Sequence, residues 1–329
     1  MDVPRLLVAD FGRGWLLASY VPSARHTCLS ALVAIGALHL PCIAYGQFTE
    51  PRTYTNVPVG VNQLELDYAH ATADDSIDTS LLIGGSHLEV NELSTGYTRT
   101  FGILHQLAWI KASVPFAYVS GSVAGSGLSH SVAGAGDASL QLTTLLLGGA
   151  ALSVADFAKY QPTTTIGVSL TVTGPSGQYD PDAVVNLGSN RWSLKPEIGI
   201  SHPFGSDQRW VVDGYFYGYF FTDNTEYHGR EILRQEPLPG FEAHLSFNLT
   251  PDLWASLDAN YAFRGTTFVD GVNQNDAQKS LTVGTEANWT IGSRNSVAFL
   301  FAKSVVHVNA PIFTQVAVKY FYSWGSGYR

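Results

Sequence analysis

The stretch LWASLDANYAFRG, residues 253 to 265, alternates strictly. Leu253, Ala255, Leu257, Ala259, Tyr261 and Phe263 hold one parity, and Trp254, Ser256, Asp258, Asn260 and Arg264 hold the other. In an extended strand, residues two apart point the same way, so the segment has one apolar and one polar face. The pattern recurs along the chain. Phe241, Ala243, Leu245, Phe247 and Leu249 oppose Glu242, His244, Ser246 and Asn248; Leu281, Val283, Ala287, Trp289 and Ile291 oppose Ser280, Thr282, Glu286 and Asn288. Leu194, Ile198 and Ile200 oppose Arg191, Lys195 and Glu197. A helix cannot present period two as a face, so the chain is all-β.

The apolar faces could pack on a second sheet or turn to lipid. Charged residues make up 14% of the chain, against roughly 25% in soluble domains. That is too little charge to clothe a soluble protein of 329 residues. The alternating segments fall at about 60–72, 86–100, 104–119, 136–148, 162–174, 190–202, 209–222, 238–250, 253–265, 278–291, 295–304 and 311–324. An even number of strands, each long enough to cross a bilayer at a tilt, predicts a transmembrane antiparallel β-barrel of about 12 strands. The connections alternate as such a barrel requires. FGILH, PFGSDQR, TPD and IGSRN are short periplasmic turns, and the other connections are mostly longer external loops rich in Gly, Ser, Asn and Asp. GGAALSVADFAKYQ (148–161) is too long for a tight turn and has room for a short periplasmic helix. Leu88 and Val90 disagree in parity with Leu93, Thr95 and Tyr97, which predicts a bulge in the second strand. The tryptophans at 109, 192, 210, 254, 289 and 324 stand mostly near strand ends, the place of an aromatic girdle.

Before the strands lies ARHTCLSALVAIGALHLPCIAYGQ. Basic Arg25, an apolar run from Leu29 to Ile43 and the small residues Ala44 and Gly46 read as a cleaved secretory signal over residues 1–46, with Gln47 as the mature N-terminus. The leader is long, and residues 1–20 have the look of an over-extended gene start, although Met1 is the sole methionine. The rival reading is a lipoprotein anchored at Cys42, against which Pro41 replaces the small residue that lipidation needs. Both cysteines, Cys28 and Cys42, lie in the leader, so residues 47–329 form one thiol-free barrel domain. Removing Arg5, Arg13, Arg25, Asp2 and Asp10 from 18 basic and 27 acidic residues leaves 15 and 25, a net charge of −10. That balance, without a basic cluster, argues against nucleic acid as a partner. The partners expected are outer-membrane lipid, the barrel-assembly machinery and a small-molecule solute.

The last strand, QVAVKYFYSW, places Val316, Val318, Tyr320, Tyr322 and Trp324 on one face. Such an aromatic-rich final strand is similar to the C-terminal signal that inserts outer-membrane barrels, with the difference that GSGYR follows the last aromatic residue.

Chemistry is sparse. There is no HExxH, CxxC, nucleophile elbow or P-loop, and no cofactor motif. GSVAGSGLSHSVAGAGD (121–137) has nucleotide-loop glycine spacings without the strand and helix that would frame them, and reads as a flexible external loop. The histidines are scattered. What remains is the inward face, where Arg191, Lys195, Glu197, Asp213, Glu242, His244, Asp258, Arg264 and Glu286 share the polar parity. These residues either fill the lumen with ion pairs or line a water-filled path and bias what crosses it. Twelve strands give a backbone radius of about 12 Å, between filled small barrels and open porins.

TVTGPSGQYDPDAVVNLGSNRWSLKPEIGIS, with YFFTDN (219–224), RQEP (234–237) and LWASLDANYAFRG, resembles the family named for the meta-pathway of phenol degradation, outer-membrane transporters of Gram-negative bacteria. The order of Gly174, Gly177, Tyr179, Asp180, Asn186, Gly188, Asn190, Arg191, Trp192, Lys195, Pro196 and Glu197 carries the resemblance. It implies a bacterial outer-membrane location and a channel or transporter for small, aromatic or hydrophobic solutes, and it carries over no binding residue. The alternatives are a structural or surface-interaction barrel with a plugged lumen, and an outer-membrane hydrolase built from a Ser or Thr and a His.

Overall fold

The computed structural model describes residues 50–75, 86–123, 128–183, 185–308, 310 and 312–325. The leader 1–46 lies outside them. Twelve strands close an antiparallel barrel: β1 (Val61–Asp75), β2 (Ser86–Ile103), β3 (Gln106–Val123), β5 (Ser139–Leu147), β6 (Thr165–Thr173), β7 (Ser193–Phe204), β8 (Trp210–Phe221), β11 (Leu238–Thr250), β12 (Leu253–Arg264), β15 (Gln278–Ile291), β16 (Asn295–Val308) and β17 (Ile312–Gly325). β4 (Leu128–Ala135) extends the wall beyond β5 by pairing with the outer half of β3. β17 pairs with β1 from Val61↔Gly325 to Asp74↔Ile312, so the first and last strands seal the cylinder. Four short strands, β9 (Asn224–Tyr227), β10 (Glu231–Gln235), β13 (Thr267–Val269) and β14 (Val272–Asn273), form a separate sheet in the external loops. The long inner turn holds α1 (Val154–Phe157), started by Ser153 accepting from the Asp156 amide.

The two faces separate as the alternation requires. In β12, Leu257 is 68% exposed while its neighbour Asp258 is 7% exposed. Outward Val316, Val318 and Tyr320 of β17 are exposed, and inward Ala317, Lys319 and Phe321 are buried. No helix of the described residues is long and apolar enough to cross a membrane, and the crossing falls to the strands.

Three expectations are corrected. β2 has no bulge: its register is unbroken against both β1 and β3. Its even residues point inward from Leu88 to Thr100, and the polarity inverts because the outer end is packed with apolar Leu88 and Val90 while His87 and Glu89 face out. Register shifts lie instead in β5, between Leu145 and Leu147, in β11, between Asn248 and Thr250, in β10, between Glu231 and Leu233, and between β15 and β16, where Leu281 pairs Val306 and Thr282 pairs Ser304. Within the glycine-rich 121–137 segment, residues 121–123 end β3 and 128–135 form β4, in register along β3 from Phe116↔Ala135 to Val123↔Leu128, so its described part is mostly strand and not loop. Finally, Trp109 and Trp254 point inward, away from the girdle that Trp192, Trp210 and Trp289 join on the outside.

Candidate functional site in the barrel lumen

The inward faces of β7, β8, β11 and β12 carry a buried polar network. Lys195 Nζ lies 2.9 Å from Glu197 and 4.6 Å over the Tyr217 ring. His244 is held between two carboxylates, with Nδ1 2.8 Å from Asp258 and Nε2 3.4 Å from Glu242. That geometry suits an imidazolium, since both ring nitrogens face anions. Asn260 donates to Glu242 at 2.9 Å, and Ser256 donates to Asp258 at 3.0 Å. Glu286 on β15 meets Lys319 of β17 at 3.5 Å. Thus Lys195, Glu197, Glu242, His244, Asp258 and Glu286 come together on the inner wall. Arg191 stands apart. It precedes β7, donates to Gln235 at 2.5 Å and stacks 4.2 Å over Phe221, beneath the external sheet. The side chain of Arg264 lies outside the described ones.

The alternation carried no sign of the segment that fills the inner half of this lumen. Residues 50–60, ahead of β1, turn across the barrel. Tyr54 is fully buried; its hydroxyl donates to Glu197 at 2.9 Å, and its ring meets the edge of Tyr215 at 5.3 Å. Gly167 and Gly199 leave the room it occupies, because a Cβ at either would overlap its ring. Arg52 donates to Ser246 and Asn248 at 2.7 Å each and lies 4.7 Å over Trp254. Glu50 pairs with Lys319 at 3.0 Å, and Val59 and Gly60 bond the backbones of Leu152 and Thr100. The segment therefore reaches β5 to β8, β11, β12 and β17, and it is a plug rather than a loose leader end.

The outer half is closed differently. The connection 174–192 dips inward and presents Val185 and Leu187 to Ala71, Ala73, Leu88, Val90, Val119 and Phe313. Its shape explains the glycines and polar residues of the family motif. Gly177 and Gly188 pass in backbone contact, where a Cβ on Gly177 would lie 2.8 Å from the Gly188 Cα. Asp137, in the gap between β4 and β5, accepts from the amides of Gly177 and Ser189 at 2.8 and 2.7 Å. Asn186 both accepts from and donates to the Asp180 backbone, and Asn190, at φ 52°, ties the loop to Asn224 and Glu226. Against the plug lies a cavity of 620 Å³, lined among others by Arg52, Gln63, Trp109, Lys111, Lys195 and Lys319.

A hydrolytic constellation fares poorly. Thr164 Oγ1 is 2.8 Å from His202 Nδ1, but this pair is at the inner rim, and the other contact of His202 is the stacked Phe204 ring. Ser256 donates to Asp258. Neither of these pairs joins a Ser or Thr to a His that an acid orients, as a triad needs.

The family model described as "Putative MetA-pathway of phenol degradation" matches residues 71–319. The chain belongs to that family. Among solved structures it is similar to the COG4313 outer membrane channel from Pseudomonas putida F1, with TM-score 0.73 and 20% identity over 84% of this chain and 100% of that one. It is also similar to the transport unit of the autotransporter AIDA-I from Escherichia coli, with TM-score 0.50 and 9% identity over 88% of this chain and 98% of that one. At such identities the likeness is one of fold, an outer-membrane barrel. No match was found among curated protein sequences.

Proposed function

We propose that this chain is a channel of the bacterial outer membrane for small, aromatic or hydrophobic solutes. The observation that carries the reading is the 620 Å³ lumen cavity, within the range of ligand sites. Residues 50–58, which are not barrel wall, form part of its lining. The family description names phenol degradation, and the similar Pseudomonas protein is described as an outer membrane channel. Conductance of the purified barrel in planar bilayers, with and without phenolic solutes, tests this. A small basal conductance that phenolics block is expected; a barrel that never conducts would overturn it.

The rival reading, a structural or surface-interaction barrel, draws on the depth of the Tyr54 plug and on the external sheet of β9, β10, β13 and β14. Residues 1–46 act as the export signal, and mature protein from outer membranes should begin at Gln47. The last strand serves as the signal read by the barrel-assembly machinery, with Tyr322 and Trp324 as its aromatic end. Replacing both by Ser should lower the amount of heat-modifiable barrel in the outer membrane, and normal assembly would remove that role.

A further inference from the structure

The cavity against the plug is walled on one side by a single cross-strand row. Gln63 on β1 pairs Thr98 on β2, Thr98 pairs Lys111 on β3, and Lys111 pairs Gln141 on β5. Gln141 pairs Thr171 on β6, and Thr171 pairs Lys195 on β7. Directly paired residues share a face of the sheet, and all six line the cavity. Because the strands of a barrel are tilted, such a row climbs the wall instead of lying level. Gln63 is the third residue of β1, at the inner end, and Lys195 the third of β7, at the outer end. The row thus runs from one rim of the wall towards the other, beside the plug.

Its two ammonium groups are already balanced, Lys111 by Glu65 at 2.6 Å and Lys195 by Glu197 at 2.9 Å. Gly96, opposite Glu65 on β2, leaves room for the first pair, since a Cβ there would lie 3.3 Å from both Glu65 Oε2 and Lys111 Cε. On β17, Lys319 meets Glu50 at 3.0 Å and stands opposite Asp67 of β1. The lining therefore offers ion pairs and not a charge of one sign. What the row adds is amide and hydroxyl. Gln63 donates to the Ser323 hydroxyl at 3.3 Å and Gln141 to the Thr171 hydroxyl at 3.2 Å, and each amide has a second N–H and a carbonyl oxygen besides. Trp109, two residues from Lys111 on the same inward face, lines the cavity together with Phe157 of α1. Groups that both donate and accept, set beside aromatic rings, match a solute group that does the same. We infer that this row is the recognition lane of the lumen and that it takes uncharged aromatic solutes bearing a hydroxyl in preference to hydrocarbons and ethers. The solute ring lies against Trp109, and its hydroxyl bonds the amides and hydroxyls of the row. This rests on the reading of the cavity as a solute site and narrows its solute class. All six side chains of the row are half-buried, so water replaces a missing hydroxyl and the preference is modest, about fivefold for one hydrogen bond.

Binding can be read without conduction, which keeps this test apart from that of the channel. Purified full-length barrel in detergent would be titrated into 4-fluorophenol and, separately, into 4-fluoroanisole, whose methyl ether has no proton to donate. Fluorine NMR line broadening beyond that caused by empty micelles reads the weak binding of each compound. The phenol should bind about fivefold more tightly than the ether. Gln63→Leu and Gln141→Leu should each reduce that preference, while Thr95→Val, on the lipid face of β2, should leave it unchanged. Equal binding of the two compounds by the parent overturns the lane, as does binding of neither, or a preference that survives in both Gln variants. Should one Gln variant fail to assemble, the other and the parent still decide. A barrel that conducts but binds both compounds alike overturns the lane and leaves the channel reading standing. One that prefers the phenol but never conducts upholds the lane and removes only the channel.

Discussion

The two closures of the lumen are built from opposite materials. The outer seal is dry: Val185 and Leu187 on a looped connection meet Ala, Leu, Val and Phe side chains of β1, β2, β3 and β17. The inner plug is wet in character: Tyr54, Arg52 and Glu50 cross the barrel on hydrogen bonds and ion pairs to Glu197, Ser246, Asn248 and Lys319. Apolar burial is non-directional and scales with area, whereas a buried polar contact must be replaced by another or it costs. The seal is therefore suited to yield to a hydrophobic solute that offers equivalent contact, while the plug resists until its partners are satisfied some other way.

Deleting residues 50–58 should have the largest effect. It removes the plug while leaving β1 intact, and single-channel conductance should rise several-fold with unchanged barrel assembly. Unchanged conductance in a folded variant would mean that the segment does not obstruct the path, and the two closures would not be comparable. Next in size, Val185→Asp with Leu187→Asp puts two charges into the dry seal. Liposome swelling with small phenolics should accelerate, but conductance should rise less than on deletion because the inner plug persists. Equal effects would show that the outer closure dominates.

Tyr54→Phe is a finer probe. It removes the hydroxyl that donates to Glu197 and lies 3.3 Å from the Ser169 hydroxyl and leaves Glu197 short of a donor, at a cost of about 1–3 kcal/mol. The plug should open more often, seen as more frequent conductance bursts of unchanged amplitude. The smallest effect is expected from Arg191→Gln. Its charge lies under the external sheet rather than on the cavity wall. Reversal potentials in a salt gradient should shift slightly towards cations, since a fixed positive charge near a narrow mouth repels them. Identical potentials would remove Arg191 from the path.

Much of the wall was legible in the sequence. The strand positions, the even count and the inward parity of Glu197, Glu242, His244, Asp258 and Glu286 follow from period two, which any ten residues display on their own. The apparent parity break in β2 misled because it marks a change of surroundings, lipid outside giving way to water while the lumen turns apolar. Trp109 and Trp254 misled for a related reason: an aromatic ring near a strand end suits a girdle, yet here Trp254 serves as a platform for Arg52.

The sequence by itself determined the barrel, since alternation and turn chemistry are local properties that each strand carries independently of its partners. Tertiary structure alone decided what fills it. Tyr54 and Glu197 are 143 residues apart and Arg52 and Asn248 are 196 apart, and the segment TEPRTYTNVPVG has no periodicity to announce a lumen. Only when the strands close into a cylinder do Gly167 and Gly199 leave the gap that Tyr54 enters.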